Sequence, residues 1–271
     1  MRVMALEKIL VTGDMHSLVA ERLRSIHDNM PEYEPEKTAV IVLGDLGLLY
    51  YLDKKDYKHK KEASAYGYTI YAVRGNHEAR PGEKLGMHLV KDDFVGGPVW
   101  IEDEFPLIRY FCDWGIYNIL GRRTLVIGGS YSVDKWYRLQ NGWTWFPDEQ
   151  LTEWEMDACY RNAVRYPYFD LVLSHTCPTS TQPVDLFLNC IDQSMVDNTM
   201  EVWMDKLFSQ LTIGLHLFGH YHQDRIELPH VEMFYTEIED LETIENRWRK
   251  YDETGEIDWW IPKSPKFEKL N

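Results

Sequence analysis

Five apolar runs in the chain end in the same kind of residue. Residues 8–11 lead into Gly13-Asp14-Met15-His16, residues 38–43 into Gly44-Asp45-Leu46-Gly47, and residues 68–73 into Arg74-Gly75-Asn76-His77-Glu78. Further on, residues 170–173 lead into Ser174-His175, and residues 213–218 into Gly219-His220-Tyr221-His222. Histidine, carboxylate and amide oxygen brought to one place are the donors of a borderline-to-hard divalent cation. Seven such groups exceed one coordination sphere, so two ions are implied, with a carboxylate, which has two oxygens, as the natural bridge. Any one of these histidines alone would read as an ordinary core residue; their repetition at five run ends is what carries the inference.

The elements that must position these groups follow from the runs themselves. Four to eight apolar residues closing on Gly read as buried parallel strands, and ligands of open α/β sheets gather beyond the carboxyl ends of such strands. Asp45, at the end of the most apolar run, is the centre of the set.

In this order, Gly-Asp-x-His, Gly-Asp-x-Gly, Gly-Asn-His-Glu, a lone His after a strand and Gly-His-x-His resemble the calcineurin-like metallophosphoesterase superfamily, over roughly residues 8–236. The resemblance implies an α/β fold, a β-sandwich of two mixed sheets flanked by helices with the metal site at the strand carboxyl edge. It places Asp14, His16, Asp45 and His222 on one ion and Asp45, Asn76, His175 and His220 on the other, so Asp45 bridges. It gives His77 the role of general acid near the leaving oxygen. Arg74 matches the Arg-Gly-Asn-His-Glu form of phosphoprotein phosphatases, where the arginine grips a phosphate oxygen. The implied cofactor is two divalent ions per chain, with manganese first and iron, zinc, nickel or magnesium as alternatives. Two departures stand out: Ser17 replaces a usual Gly, and Leu48 falls where the phosphoprotein phosphatases have the carboxylate that braces the catalytic His. That leaves Glu78 or a backbone carbonyl to orient His77. Three readings follow: a phosphomonoesterase, including a protein phosphatase; a phosphodiesterase acting on a nucleotide or nucleic acid; and a non-catalytic metal scaffold, against which the intact ligand set and His77 speak.

At 271 residues the chain is long enough to bury a large core without a stapling disulfide or structural metal. The ligand set spans positions 14 to 222, so one catalytic domain over 1–236 is expected, followed by an extension over 237–271 packed on the domain or on a partner subunit. A net charge of -15 opposes stable non-specific binding to nucleic acid or an anionic membrane, but not binding of a phosphate ester, because bound metals supply their own local positive charge. Cys112, Cys159, Cys177 and Cys190 show no CxxC spacing, and no signal-like or membrane-spanning run is present; the expected setting is the cytoplasm. Oligomeric state is left open.

Along the chain, helical spacing is expected over 17–29, 53–66, 148–164 and 195–211. Residues 79–106 read as loops with one short edge strand, and 107–111, 115–120 and 124–127 as strands that begin the second sheet. Residues 128–147, rich in Trp, read as a long loop in which Tyr131, Lys135, Trp136 and Arg138 suit a substrate wall, while Trp143 and Trp145 suit packing. A strand pair over 224–228 and 231–236 closes the second sheet.

Overall fold

The computed structural model describes residues 5–257 and 262–268. Two sheets face each other. The first runs in the order Ile238–Asp240, Lys8–Thr12, Thr38–Val42, Thr69–Ala72, Ile108–Phe111, Gly97–Ile101, His88–Asp92. The second runs Arg225–Leu228, Val231–Met233, His216–Phe218, Leu171–Ser174, Arg122–Ile127, Trp114–Ile119. The apolar runs form the central strands of both, and they pair in parallel: Lys8–Thr12 with Thr38–Val42 with Thr69–Ala72 in the first sheet, Leu171–Ser174 with His216–Phe218 in the second. Parallel pairing is what brings every run's carboxyl end to one edge.

Alternation along these strands explains the layers. Val11, Ile41 and Tyr71 point between the sheets, where they meet Val126, Leu173 and Leu217. Their neighbours Leu10, Val40 and Ile70 point outward under the helix Val19–Asn29, which buries Val19, Leu23 and Ile26. On the far face, Leu125, Ile127 and Val172 pack against the helices Glu153–Ala163 and Thr199–Phe208. Both faces of each central strand are therefore covered, which is why these strands carry no polar alternation.

Four local expectations are corrected. Residues 128–147, expected as a long loop, hold the helix Lys135–Gln140. Ile108–Phe111 belongs to the first sheet, parallel to Thr69–Ala72; its Tyr110 and Phe111 are both fully buried, on opposite faces. Residues 79–106 hold two strands, His88–Asp92 and Gly97–Ile101, paired as an edge hairpin. The run 213–218 is interrupted: Thr212–Ile213 pairs with Tyr168–Phe169 in a small separate ribbon, and only His216–Phe218 enters the sheet. Beyond residue 236, Ile238–Asp240 pairs antiparallel with Lys8–Thr12, and the helix Leu241–Thr254 buries Leu241, Ile244, Arg247 and Trp248. Trp259 and Trp260 lie outside the described residues.

Candidate metal centre

The loops that leave the strands are stitched to one another by backbone bonds. Met15 N and His16 N both donate to Asp45 O (3.0 and 2.8 Å), and His77 N donates to Asp45 Oδ1 at 2.8 Å. Gly219 N donates to His175 O at 3.0 Å, and His220 N to Asp14 Oδ2 at 3.0 Å. Such close crossing needs glycine. A Cβ on Gly44 would lie 2.0 Å from His175 Nδ1, and one on Gly75 would lie 2.0 Å from Asp45 Oδ1. It also needs strain: among the described residues eight non-glycines have positive φ, and His16, Asp45, His220 and His222 are four of them. A left-handed non-glycine costs about 1 kcal/mol or more, and strain concentrated on the very residues expected to bind metal marks a site the rest of the fold holds in place.

The side chains converge as the strand ends require. Asp14, His16 and His222 bring ligand atoms within 4.8 Å of one another, as do His16, Asp45 and His77, and Asp14, Asp45 and His175. Asp14 and Asp45 are buried, and burial together with the Asp45 charge pushes the Asp14 carboxyl up. Burial would raise Asp45 too, but the imidazoles of His175, His77 and His16 hold it below the usual carboxylate range.

The hydrogen bonds around the cluster fix which atoms face one another. Glu149 accepts from Ser132 N, Ser132 Oγ and Trp145 Nε1 (3.0, 2.6 and 2.8 Å). Because the Ser132 hydroxyl proton goes to Glu149, its oxygen can only accept from Asn76 Nδ2 (2.9 Å). Asn76 Oδ1 is thereby turned toward His175 Nε2, 2.8 Å away. His175 Nδ1 pairs with the Leu43 carbonyl at 2.8 Å and must carry the ring proton to do so, since burial holds the imidazole's pKa down and so favours the neutral ring. Two lone pairs therefore face each other. His16 Nε2 and His222 Nε2 meet at 2.9 Å. Acceptors crowded in this way are the arrangement a shared cation would satisfy, so the donor set fits divalent metal.

The family comparison agrees. A model of the calcineurin-like phosphoesterases matches residues 7–224. The chain belongs to that family. Calcineurin-like phosphoesterases are metal-dependent phosphoric ester hydrolases, and this chain is one of them. No curated protein sequence matches it. Among solved structures, a protein of Thermus thermophilus is 14% identical with a TM-score of 0.44, covering 87% of this chain and 98% of its own. A phosphopantetheinyl hydrolase of Mycobacterium tuberculosis is 13% identical with a TM-score of 0.41, covering 94% of each chain. A 5'-nucleotidase of Candida albicans is 13% identical with a TM-score of 0.37, covering 85% of this chain and 46% of that one.

Not every expected residue of this calcineurin-like phosphoesterase sits where the motif suggests. His220 lies edge-on to His175, with ring centroids 4.9 Å apart, and its Nε2 meets Ser130 Oγ at 3.0 Å. Arg74 points away from the cluster: it is buried, Nε donates to Asp113 Oδ1 at 2.7 Å and Nη1 to Glu149 O at 3.0 Å. A guanidinium so enclosed cannot also reach a phosphate oxygen in this conformation. Arg74→Ala should therefore cost stability, about 1.5–3 kcal/mol, for the lost hydrogen bonds of a buried charged group, with Arg80 Nε still 3.0 Å from Asp113 Oδ2; urea unfolding checks this, and a stable variant that has lost only phosphate affinity would restore the gripping role.

His77 lines the same cavity as Asp45, Asn76 and His222. Its ring stacks on Tyr50 (6.2 Å, 23°) and meets His16 edge-on at 5.1 Å; among the described residues no hydrogen bond engages that ring. Glu78 does not brace it. The Glu78 carboxylate instead accepts from Gly47 N at 2.8 Å and Gly75 N at 3.4 Å, tying two ligand loops together. Of the Trp-rich segment, Tyr131 reaches the cavity, but Trp136 is 63% exposed and does not line it. Lys135 sits over the Trp145 ring at 4.1 Å, and Arg138 is fully buried, donating to Ser132 Oγ at 3.0 Å. Ser130, Ser132 and Glu149 were invisible to motif spacing; their only sequence signal is a Gly-Gly-Ser-Tyr-Ser run directly after a strand.

Proposed function

We propose that the protein hydrolyses phosphate monoesters of small molecules at a dinuclear centre, with Asp14, His16, Asp45 and His222 holding one ion and Asp45, Asn76, His175 and His220 the other. The observation that supports this best is a cavity of about 450 Å³ beside the cluster, enough for one modest organic group. When bound, the metal pair supplies an activated water and positive charge for the phosphoryl oxygens. The chain's own residues do the rest. Asp45, fixed by His77 N, spans the two halves of the cluster; Ser132 orients the Asn76 amide; His77 stands at the cavity wall, where its imidazole can hand a proton to the departing oxygen. Manganese suits this mixture of carboxylate, amide and imidazole donors. Four free cysteines suit a reducing, cytoplasmic setting, and among the described residues no helix is long and apolar enough to cross a membrane.

One observation favours a second reading, phosphodiester hydrolysis. With Arg74 turned inward, no arginine or lysine among the described residues lines the cavity to meet the extra charge of a monoester. Comparing nitrophenyl phosphate with its bis-ester under manganese saturation separates the two: a higher kcat/KM on the monoester is expected, and faster bis-ester hydrolysis would transfer the assignment to diesters.

A further inference from the structure

Beyond the cluster the cavity changes character. One wall is built from Leu186, Phe187, Leu188, Ile191 and Val196, on the short turns Val184–Leu186 and Gln193–Met195 and the chain around them, and it faces Tyr131 and Val133. The wall is tied to the site: Phe187 stacks on Tyr221 (6.4 Å, 17°), which lies between His220 and His222, and Gln182 Nε2 donates to the Tyr221 hydroxyl at 3.2 Å. Whatever the metal end holds by its phosphate, this wall meets by its carbon.

The charged groups on that side are acidic, beside the neutral amides of Gln182, Gln193 and Asn198. Asp134, Asp197 and Glu201 line the cavity, and among the described residues no lysine or arginine does. Asp197 is occupied, accepting from Thr199 N at 3.0 Å and Gln150 Nε2 at 3.1 Å, and Asp134 lies 3.8 Å from Arg138 Nη1. Glu201 is different. On the helix Thr199–Phe208 it is 4% exposed; Oε1 accepts from Thr176 Oγ1 at 2.9 Å, while Oε2 is buried and has no hydrogen-bond partner among the described residues. A buried acceptor left open is costly to the fold and needs a reason, and an incoming donor supplies one.

We propose that this cavity selects phosphate esters whose organic group is apolar, bears no negative charge and offers a hydrogen-bond donor to Glu201; the inference rests on the monoester reading of the same site. An added carboxylate would meet Asp134, Asp197 and Glu201 at a wall that no lysine or arginine among the described residues lines, and esters with further phosphates would meet the same charge. The wall supplies affinity for aromatic or aliphatic carbon, and Glu201 supplies selectivity.

Three aryl phosphates matched in size test it on the manganese-loaded protein: ring-substituted with hydroxymethyl, methyl or carboxylate. The expected order of kcat/KM is hydroxymethyl, methyl, carboxylate, with about tenfold or more between the first and last, expressed mostly in KM. Glu201→Gln should shrink that gap, and thermal melting checks that the variant is folded. Comparable turnover of the carboxylate and methyl esters, or an unchanged gap in a folded Glu201→Gln protein, overturns the proposal. If no monoester is cleaved, the monoester reading fails on its own. The same three rings, presented as arylphosphonates in calorimetric binding and as methyl diesters in hydrolysis, then decide the selectivity separately.

Discussion

Asp45→Asn should abolish metal binding at both halves of the centre and lower turnover by about a thousandfold or more. His16→Ala and Asn76→Ala should instead each lose one ion. The asymmetry follows from position: Asp45 Oδ1 is 3.7 Å from His175 Nε2 and Oδ2 is 4.0 Å from His16 Nδ1, so this carboxylate reaches both groups. A folding defect would mimic the activity loss: Asp45 raises the Asp14 pKa, but its own charge is held by the imidazoles of His175, His77 and His16 and by His77 N. Thermal melting of the metal-free variant beside the metal-free wild type separates the two, and a folded variant that binds neither ion is the expected result. Retention of two equivalents by Asp45→Asn would show that it is not the bridge.

His77→Ala should lower turnover of alkyl phosphates by about a hundred- to ten-thousandfold while costing little on nitrophenyl phosphate, with metal content unchanged, because a general acid matters in proportion to how badly the leaving oxygen needs a proton. The pH dependence has a definite sign. Burial holds the His77 imidazole below its ordinary value of 6.5, partly offset by Asp45, so its acidic form grows only as the pH falls through that lowered value. The ratio of alkyl to nitrophenyl rates should therefore rise toward acid pH in the wild type and stay flat in His77→Ala. Equal losses on both esters would mean that His77 merely fills the wall between Tyr50 and His16.

The convergence of these loops was legible because their chemistry is local: an apolar run, a glycine that lets two loops cross, then a polar side chain. Arg74 was not, because its partners Asp113 and Glu149 come from segments 39 and 75 residues away, and no local spacing encodes them. The same holds for Ser132, whose value to Asn76 depends on where Glu149 directs its proton. Ile238–Asp240 escaped notice since a three-residue edge strand needs little apolar character once Lys8–Thr12 offers it a ladder. The apolar wall at 184–196 lies in a stretch of proline and short turns, where hydrophobic periodicity has nothing regular to act on.

Metal stoichiometry tests the central claim most directly. The purified chain, stripped by chelation and then saturated with manganese and freed of excess, should carry two equivalents by elemental analysis and recover its hydrolytic activity with them. One equivalent or fewer in a folded sample would contradict the dinuclear account.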